Sequence, residues 1–98
     1  MVKDLKNRGI LLCGSAAGIC IAANKFRSIR AAAAWDEQIA TAARHDDNIN
    51  IVCLPADKLD EDQVKKIAQV FLYTSFAGEE RYKRRLKQIE EIEAKNSK

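Results

Sequence analysis

Cys13 is the residue of this chain best placed to do chemistry. It ends the apolar run Gly9-Ile10-Leu11-Leu12 and opens a loop of small residues, Gly14-Ser15-Ala16-Ala17-Gly18, which leads into the Ala-rich stretch Ile21-Ala22-Ala23-Asn24-Lys25. The pattern predicts a buried strand, a tight loop at its carboxyl end and a helix over residues 15–25 whose amino terminus faces the loop. In open α/β sheets ligands bind at that end of the strands. Unsatisfied N–H groups at a helix start favour anions and can lower the pKa of a thiol. The chemistry on offer is a reactive thiol beside an anion site; the plain alternative is a buried cysteine without a role.

Other groups of the right type are few. Arg81 and Arg85 are four apart, so on a helix they share a face and can grip one phosphate, or else form a solvated face paired with Glu. His45, the only histidine, stands beside Asp46 and Asp47 near a helix end. Cys20 and Cys53 read as small apolar residues, one on a helix and one in a strand. The three cysteines lack metal-site spacing, and reduced thiols in a cytoplasmic protein are the simplest account.

The elements that must position these groups alternate. Strand-like runs at residues 9–13, 29–34 and 49–54 are separated by helical segments at 15–25, 36–44 and 60–73. Strict alternation implies parallel strands, and near-continuous apolar runs imply helices on both faces. Pro55 stops the third run. The alanines at 31 to 34 are weak strand formers, assigned from context. Asp36 is placed to cap the second helix, and Asp60 with Gln63 has the spacing of a capping box on the third. Asn24-Lys25 ends the first helix, and Trp35 reads as half-buried packing. Residues 79–96 form a charged C-terminal helix with an apolar seam at Tyr82, Leu86, Ile89 and Ile92, packing on the domain or a partner subunit. Glu79–Lys83, Glu80–Arg84 and Glu91–Lys95 are spaced for i,i+4 pairs. The fold class is therefore α/β: a three-layer parallel sheet of flavodoxin-like or Rossmann-like type, with about three strands, flanking helices and a long terminal helix.

Length and charge set the outer bounds. Residues 1–98 make one small domain, 47% hydrophobic and 32% charged, with a net charge of +3. That charge is too weak to argue for nucleic acid, and the basic residues at 81 to 87 are interleaved with Glu. No apolar run approaches the ~20 residues of a membrane span, and Met1–Lys6 lacks the apolar core of a secretory signal. Gly14-Ser15-Ala16-Ala17-Gly18 is neither a dinucleotide fingerprint nor a P-loop.

Cys13-Gly14-Ser15 through Gly18, then Ile21-Ala22-Ala23-Asn24-Lys25 and Ile29-Arg30-Ala31, resemble the type B ribose-5-phosphate isomerases and their relatives, the galactose-6-phosphate isomerase subunits. Phe76-Ala77-Gly78 followed by Arg81-Tyr82-Lys83-Arg84-Arg85 resembles the closing Gly–Arg–His–x–Arg–Arg stretch of that family. The resemblance covers nearly the whole chain but only part of the family's protein, which begins with about two further strand–helix units, the first carrying an Asp-His pair. It implies a parallel sheet in flavodoxin-like order of which this chain supplies the last three strands. The strand at 9–13 then loses a neighbour, and an exposed apolar edge invites pairing with another chain. The expectation is a truncated gene product, a fragment, or a subunit that needs a partner.

The activity the resemblance implies interconverts ribose 5-phosphate and ribulose 5-phosphate, or a six-carbon analogue, through an enediolate. It needs no metal or organic cofactor. Cys13 matches the proton-abstracting cysteine; free thiols titrate near ~8.5, so a base role requires the loop to lower that value. The N–H groups of Gly14 to Gly18, with the Ser15 hydroxyl, would form the anion hole. Arg81 and Arg85 match the phosphate-binding arginines. Asp46 falls where the family has its ring-opening His, and Asp47 where it has a substrate-contacting Asn. Asp46 would shuttle a proton if burial beside a second carboxylate raised its pKa, or Asp46–Asp47 would be a helix-end turn without chemistry. His45 is one residue out of register, either a catalytic acid or structural. Ala16 replaces a usual glycine, Tyr82 stands where the family has His, and Pro55-Ala56-Asp57 stands where it often has Gly-x-Arg, reversing a charge. Two readings follow: a sugar-phosphate isomerase working as a homodimer or higher oligomer, and a non-catalytic homologue or subunit that needs a complementing chain.

Overall fold

The computed structural model describes residues 7–96; Met1–Lys6, read above for a secretory signal, and residues 97–98 lie outside the described residues. The most apolar segment, Ile51–Pro55 (β3), is buried at every position. An apolar strand with no polar face must be covered on both sides and along both edges. Gly9–Cys13 (β1) and Ala31–Ala33 (β2) supply the edges, both parallel to β3, in the order β1-β3-β2. The parallel α/β sheet is as expected. Its strand order is not the consecutive one that flavodoxin-like order implies, because the last strand is the most apolar and takes the centre.

The faces of β3 alternate. Val52 and Leu54 pack with Ala34, Ala40, Ile49, Ile67 and Phe71 beneath Glu37–Asp47 (α2) and Glu61–Tyr73 (α3). Ile51 and Cys53 pack with Ala16, Ala23 and Ile29 beneath Ala17–Ala23 (α1). The two-residue period of a strand thus sorts one short run into two cores. Asp60 caps α3 through the reciprocal box with Gln63, and the Asp36 carboxylate accepts the Ile39 N–H at 2.8 Å, both as the sequence predicts.

Boundaries shift where tertiary partners intervene. The second strand shortens from residues 29–34 to Ala31–Ala33. Asn24, at the end of α1, donates to the Ala31 carbonyl at 2.9 Å and accepts its N–H at 2.8 Å, so it pairs the strand edge as well as ending the helix. The Asn50 amide accepts the Arg30 N–H and donates to the Ser28 carbonyl, both at 2.8 Å, and Ser28 is left-handed at φ 66°. These bonds hold residues 28–30 in a turn, and they delay the third strand to Ile51 while Pro55 becomes its last residue rather than its stop. The first helix contracts to Ala17–Ala23, whereas α2 runs three residues past the expected 44, to Asp47, and ends on left-handed Asn48. Trp35 is 57% exposed, not half-buried, because it lies beyond the last paired residue of β2.

The amino-terminal end of the sheet is closed by arginines on backbone carbonyls. Arg44, buried, donates from Nη1 to the Ile49 carbonyl and Asn48 Oδ1, and from Nε to the Thr74 carbonyl. Burial, with Arg8 and Arg30 nearby, pushes its guanidinium down to about 10, so it remains charged at neutral pH. Arg8 donates to the carbonyls of Phe71, Leu72 and Thr74 where α3 ends. Glu80–Asn96 (α4) then crosses this end, anchored by buried Tyr82 and by Glu93, which accepts the Ser28 N–H at 3.1 Å. The i,i+4 pairs expected on α4 do not close among the described residues; Arg81 meets Glu79 at 3.6 Å instead.

Arg44→Ala leaves the Ile49 carbonyl buried without its donor and should cost about 3 kcal/mol in urea unfolding. Asp60→Ala, which removes one exposed cap, should cost about 1 kcal/mol in the same assay.

Candidate active site

The residues that could do chemistry fall into two clusters, one at each end of β3. At its carboxyl end Cys13 pairs in register with Pro55. The Ala56 N–H donates to the Cys13 carbonyl at 2.8 Å and the Asp57 N–H to the Gly14 carbonyl at 3.2 Å, binding the two post-strand loops together. Cys13 is exposed, which removes the plain reading of a buried thiol, since β1 is an edge strand. Cys53 is the opposite case: burial, with Cys20 and Cys13 nearby, pushes its thiol up to about 12. Of the three thiols, Cys13 is the most exposed.

The loop after Cys13 departs from a simple anion nest. Ser15 and Gly18 are exposed at the start of α1, whose first turn has no side-chain cap and no acidic residue. Ala16, fully buried, sits at φ 70° as the N-cap, a left-handed conformation that a methyl group disfavours by about 1 kcal/mol. This is the position where a glycine was the expected residue. Over Gly14 lies the Asp57 carboxylate: a Cβ built on Gly14 would stand 2.8 Å from its Oδ2. Asp57 therefore presents a negative charge to the loop, the consequence of the charge reversal noted in the sequence. Only tertiary structure reveals how close that charge comes.

The second cluster forms where α2 ends and α4 begins. His45 Nδ1 donates to Asp46 Oδ1 at 2.6 Å. The His45 ring stands edge-on to Tyr82 with centroids 5.8 Å apart. Arg81 and Arg85 lie over the same Tyr82 ring at 4.7 and 5.4 Å, and Arg81 Nη2 donates to the Tyr82 hydroxyl at 2.8 Å. Tyr82 thus gathers an imidazole and two guanidiniums around one buried ring. That role was legible only as an apolar position in the helix seam. His45, one residue out of register with the family's histidine, joins the cluster because α2 continues through Asp47 rather than turning at 46–47.

Asp46 reverses an expectation. Its carboxyl is held below the ordinary range, chiefly by the His45 hydrogen bond, with the Tyr82 hydroxyl and the Arg85 charge adding to it. No second carboxylate raises it, and in this cluster Asp46 accepts the His45 hydrogen bond. Asp47, also on the last turn of α2, is exposed.

The two clusters do not meet within one chain. α2 runs back to the start of β3, so Asp46 and Cys13 are separated by at least the length of that strand, about 13 Å. Among the described residues, no group of His, Cys, Asp or Glu could hold a metal ion, and no helix is long and apolar enough to cross a membrane.

Comparison with known proteins places this arrangement. The family model described as Ribose/Galactose Isomerase matches residues 1–89. A probable ribose-5-phosphate isomerase B of Mycoplasma genitalium is 39% identical over 84 residues, which are 86% of this chain and 55% of that protein. The structure of the Trypanosoma cruzi type B ribose 5-phosphate isomerase superposes with a TM-score of 0.91 at 40% identity, covering 93% of this chain and 60% of that one. A Mycoplasma genitalium ribose-5-phosphate isomerase B with bound ribulose-5-phosphate gives 0.87 at 37% identity, covering 91% and 58%. The chain spans little more than half the length of these relatives.

Two outcomes follow from the geometry. The pairing at Asp46 contributes fully above the ordinary carboxylate range and is lost as pH falls through the lowered folded value. In a carbon-13 titration His45→Gln should move the Asp46 carboxyl up towards its ordinary value and Tyr82→Phe should move it less; an unmoved carboxyl in His45→Gln would show that the pair does not form. Gly14→Ala should cost under about 1 kcal/mol in urea unfolding, because the group its methyl meets is the free end of the Asp57 side chain, which can swing aside.

Proposed function

The chain belongs to the ribose/galactose isomerase family, and on that premise we propose that it supplies both halves of an aldose–ketose isomerase site for a sugar phosphate, converting ribose 5-phosphate to ribulose 5-phosphate. Cys13 removes the proton from C2 of the open-chain aldose. The electrons move through C1 to the carbonyl oxygen, giving an enediolate; the O2 hydroxyl proton passes to O1, the C2–O2 bond becomes the carbonyl, and the proton held by Cys13 returns at C1 to leave the ketose. The N–H groups between Gly14 and Gly18, with the Ser15 hydroxyl, face the developing oxyanion. Arg81 and Arg85, on one face of α4, take the phosphate. Asp47 reaches the substrate from the end of α2. Asp57 keeps a negative charge beside the Cys13 loop, which favours hydroxyl groups over the phosphate at that end and leaves the phosphate to the arginines.

The observation that carries this reading is the exposed Cys13 at the carboxyl end of β1, combined with the separation of the two clusters. A proton-abstracting thiol and a phosphate grip 13 Å apart or more, by the roughly 3.3 Å rise of each strand residue, cannot serve one small substrate from a single chain. Two copies related by a twofold axis solve this, each site taking the Cys13 loop from one copy and the α2–α4 cluster from the other. A homodimer is accordingly part of the proposal. The open edge of β1, with Ile10 37% and Leu12 57% exposed, favours a second reading, in which the chain works only with a complementing chain that pairs with that edge.

The test is ribose 5-phosphate turnover by the purified chain beside Cys13→Ala and Arg85→Ala. Each substitution should abolish turnover. Mixing the two inactive variants before assembly should restore about a quarter of the wild-type rate, the value given by random pairing of copies into twofold dimers. Folded wild-type chain without turnover would reject a self-sufficient enzyme and point to the complementing chain. Active wild type whose mixed variants regain nothing would reject the shared site.

A further inference from the structure

The edge of β1 that faces away from β3 carries no strand among the described residues. The Gly9 N–H and the Cys13 carbonyl bond inward, to Asn50 and Ala56 on either side of β3, so by alternation the N–H and C=O groups of Ile10 and Leu12 point outward. Gly9–Cys13 contains no charged residue and no proline, the types that usually blunt an open edge. Apolar surface flanks it on both faces. Ile10 and Leu12 stand in register with Val52 and Leu54, on the face of α2 and α3, yet remain exposed. On the other face a cleft of about 310 Å³, lined by Leu11, Ile19, Ala22 and Phe26, lies beside α1. We propose that this edge is the interface with a second copy of the chain, β1 pairing antiparallel with its counterpart about a twofold axis at Leu11, so that the two sheets become one.

The register follows from the strand itself. An axis perpendicular to the sheet at Leu11 sets Ile10 opposite Leu12 of the second copy, Leu11 opposite Leu11, and Gly9 opposite Cys13. The outward groups of Ile10 and Leu12 then exchange N–H···O=C bonds in both halves of the pair. Residues directly opposite share a face, so Ile10 and Leu12 of the two copies meet on one side and the two Leu11 clefts adjoin on the other.

Charge favours this antiparallel copy as the occupant. The amino-terminal end of the sheet carries Arg8, Arg30, Arg44, Arg81 and Arg85. At that end Asp46, Glu79 and Glu93 are engaged by His45, Arg81 and the Ser28 N–H. The carboxyl end carries Asp57 and the acidic starts of α2 and α3, with Lys58 among them. Antiparallel pairing lays the basic end of one copy beside the acidic end of the other, whereas a chain of the same fold added in parallel would bring like ends together. Arg8 falls opposite Gly14 of the second copy, the residue over which the Asp57 carboxylate lies. Gly9 opposite Cys13 places no side chain over the thiol. The same pairing sets the end of the sheet that α4 crosses beside the Cys13 loop of the other copy, the arrangement a shared isomerase site requires. The interface concerns assembly, so it stands or falls apart from turnover.

The test is sedimentation of the full 98-residue chain, which should run as a dimer. Leu12→Lys, at an exposed position, should raise the dissociation constant by on the order of 10²-fold, since it sets a charge on each side of a paired apolar edge. Asp57→Lys should raise it by about 10-fold, by opposing like charges across the axis. Gly9→Cys reads the register without weakening the interface. The new thiol at position 9 lies about 13 Å along the strand from Cys13 of its own chain, but about 4.5 Å, Cα to Cα, from Cys13 of the second copy. Mild oxidation should therefore give a covalent dimer whose bridge maps by mass spectrometry to position 9 and Cys13. Wild-type chain that stays monomeric at about 100 µM would overturn the interface and leave the edge to a complementing chain. A dimer that Leu12→Lys and Asp57→Lys both leave intact would overturn it as well, placing the contact elsewhere. A Gly9→Cys dimer that bridges position 9 to itself, or forms no bridge, would overturn the register.

Discussion

The burial of β3 on both faces and both edges is the constraint on which the rest of the molecule depends. Five apolar residues in extended form cannot be satisfied by one layer, so α1 must cover Cys53 and Ile51 while α2 and α3 cover Val52 and Leu54. Parallel pairing on both edges then brings the loop after β1 against the loop after β3, where Ala56 and Asp57 donate to Cys13 and Gly14. At the other end the same strand fixes where α2 must stop, and with it His45 and Asp46. Both chemical clusters are placed by this strand, although it contributes no residue to either.

How much of this was legible differs from element to element, and the differences have physical causes. β3 and α3 were clear because their signals are local: a continuous apolar run for one, and the Asp60–Gln63 box with a buried stripe at Ile67 and Phe71 for the other. β2 was marginal because three alanines carry almost no preference; the Asn24 and Asn50 amides, distant in sequence, define it. The extension of α2 through Asp47 was missed because Asp and Asn favour turns in isolation, whereas here Arg44 and Asn48 close the helix end through tertiary bonds. In the site, Cys13, Arg81 and Arg85 stood out by type and spacing. The approach of Asp57 to Gly14 and the gathering of three side chains around Tyr82 did not, since each depends on elements that meet only after folding.

The arginines divide into two kinds of work. Arg8, Arg30 and Arg44 spend their donors on backbone carbonyls and on Asn48 at the turn-rich end of the sheet, where unpaired acceptors would be costly. Arg81 and Arg85 lie over the Tyr82 ring instead, with Arg81 also donating to its hydroxyl.

Arg8 has an effect beyond the carbonyls it satisfies. Through Phe71, Leu72 and Thr74 it ties the start of β1 to the end of α3, some sixty residues later in sequence, so the sheet and its three covering helices form a closed loop of chain. α4 lies outside that loop, joined to it by a short segment that includes Gly78 in a left-handed turn at φ 72°. The helix that carries Arg81 and Arg85 is therefore held to the domain by its own side chains, Tyr82 and Glu93, and not by the laced loop.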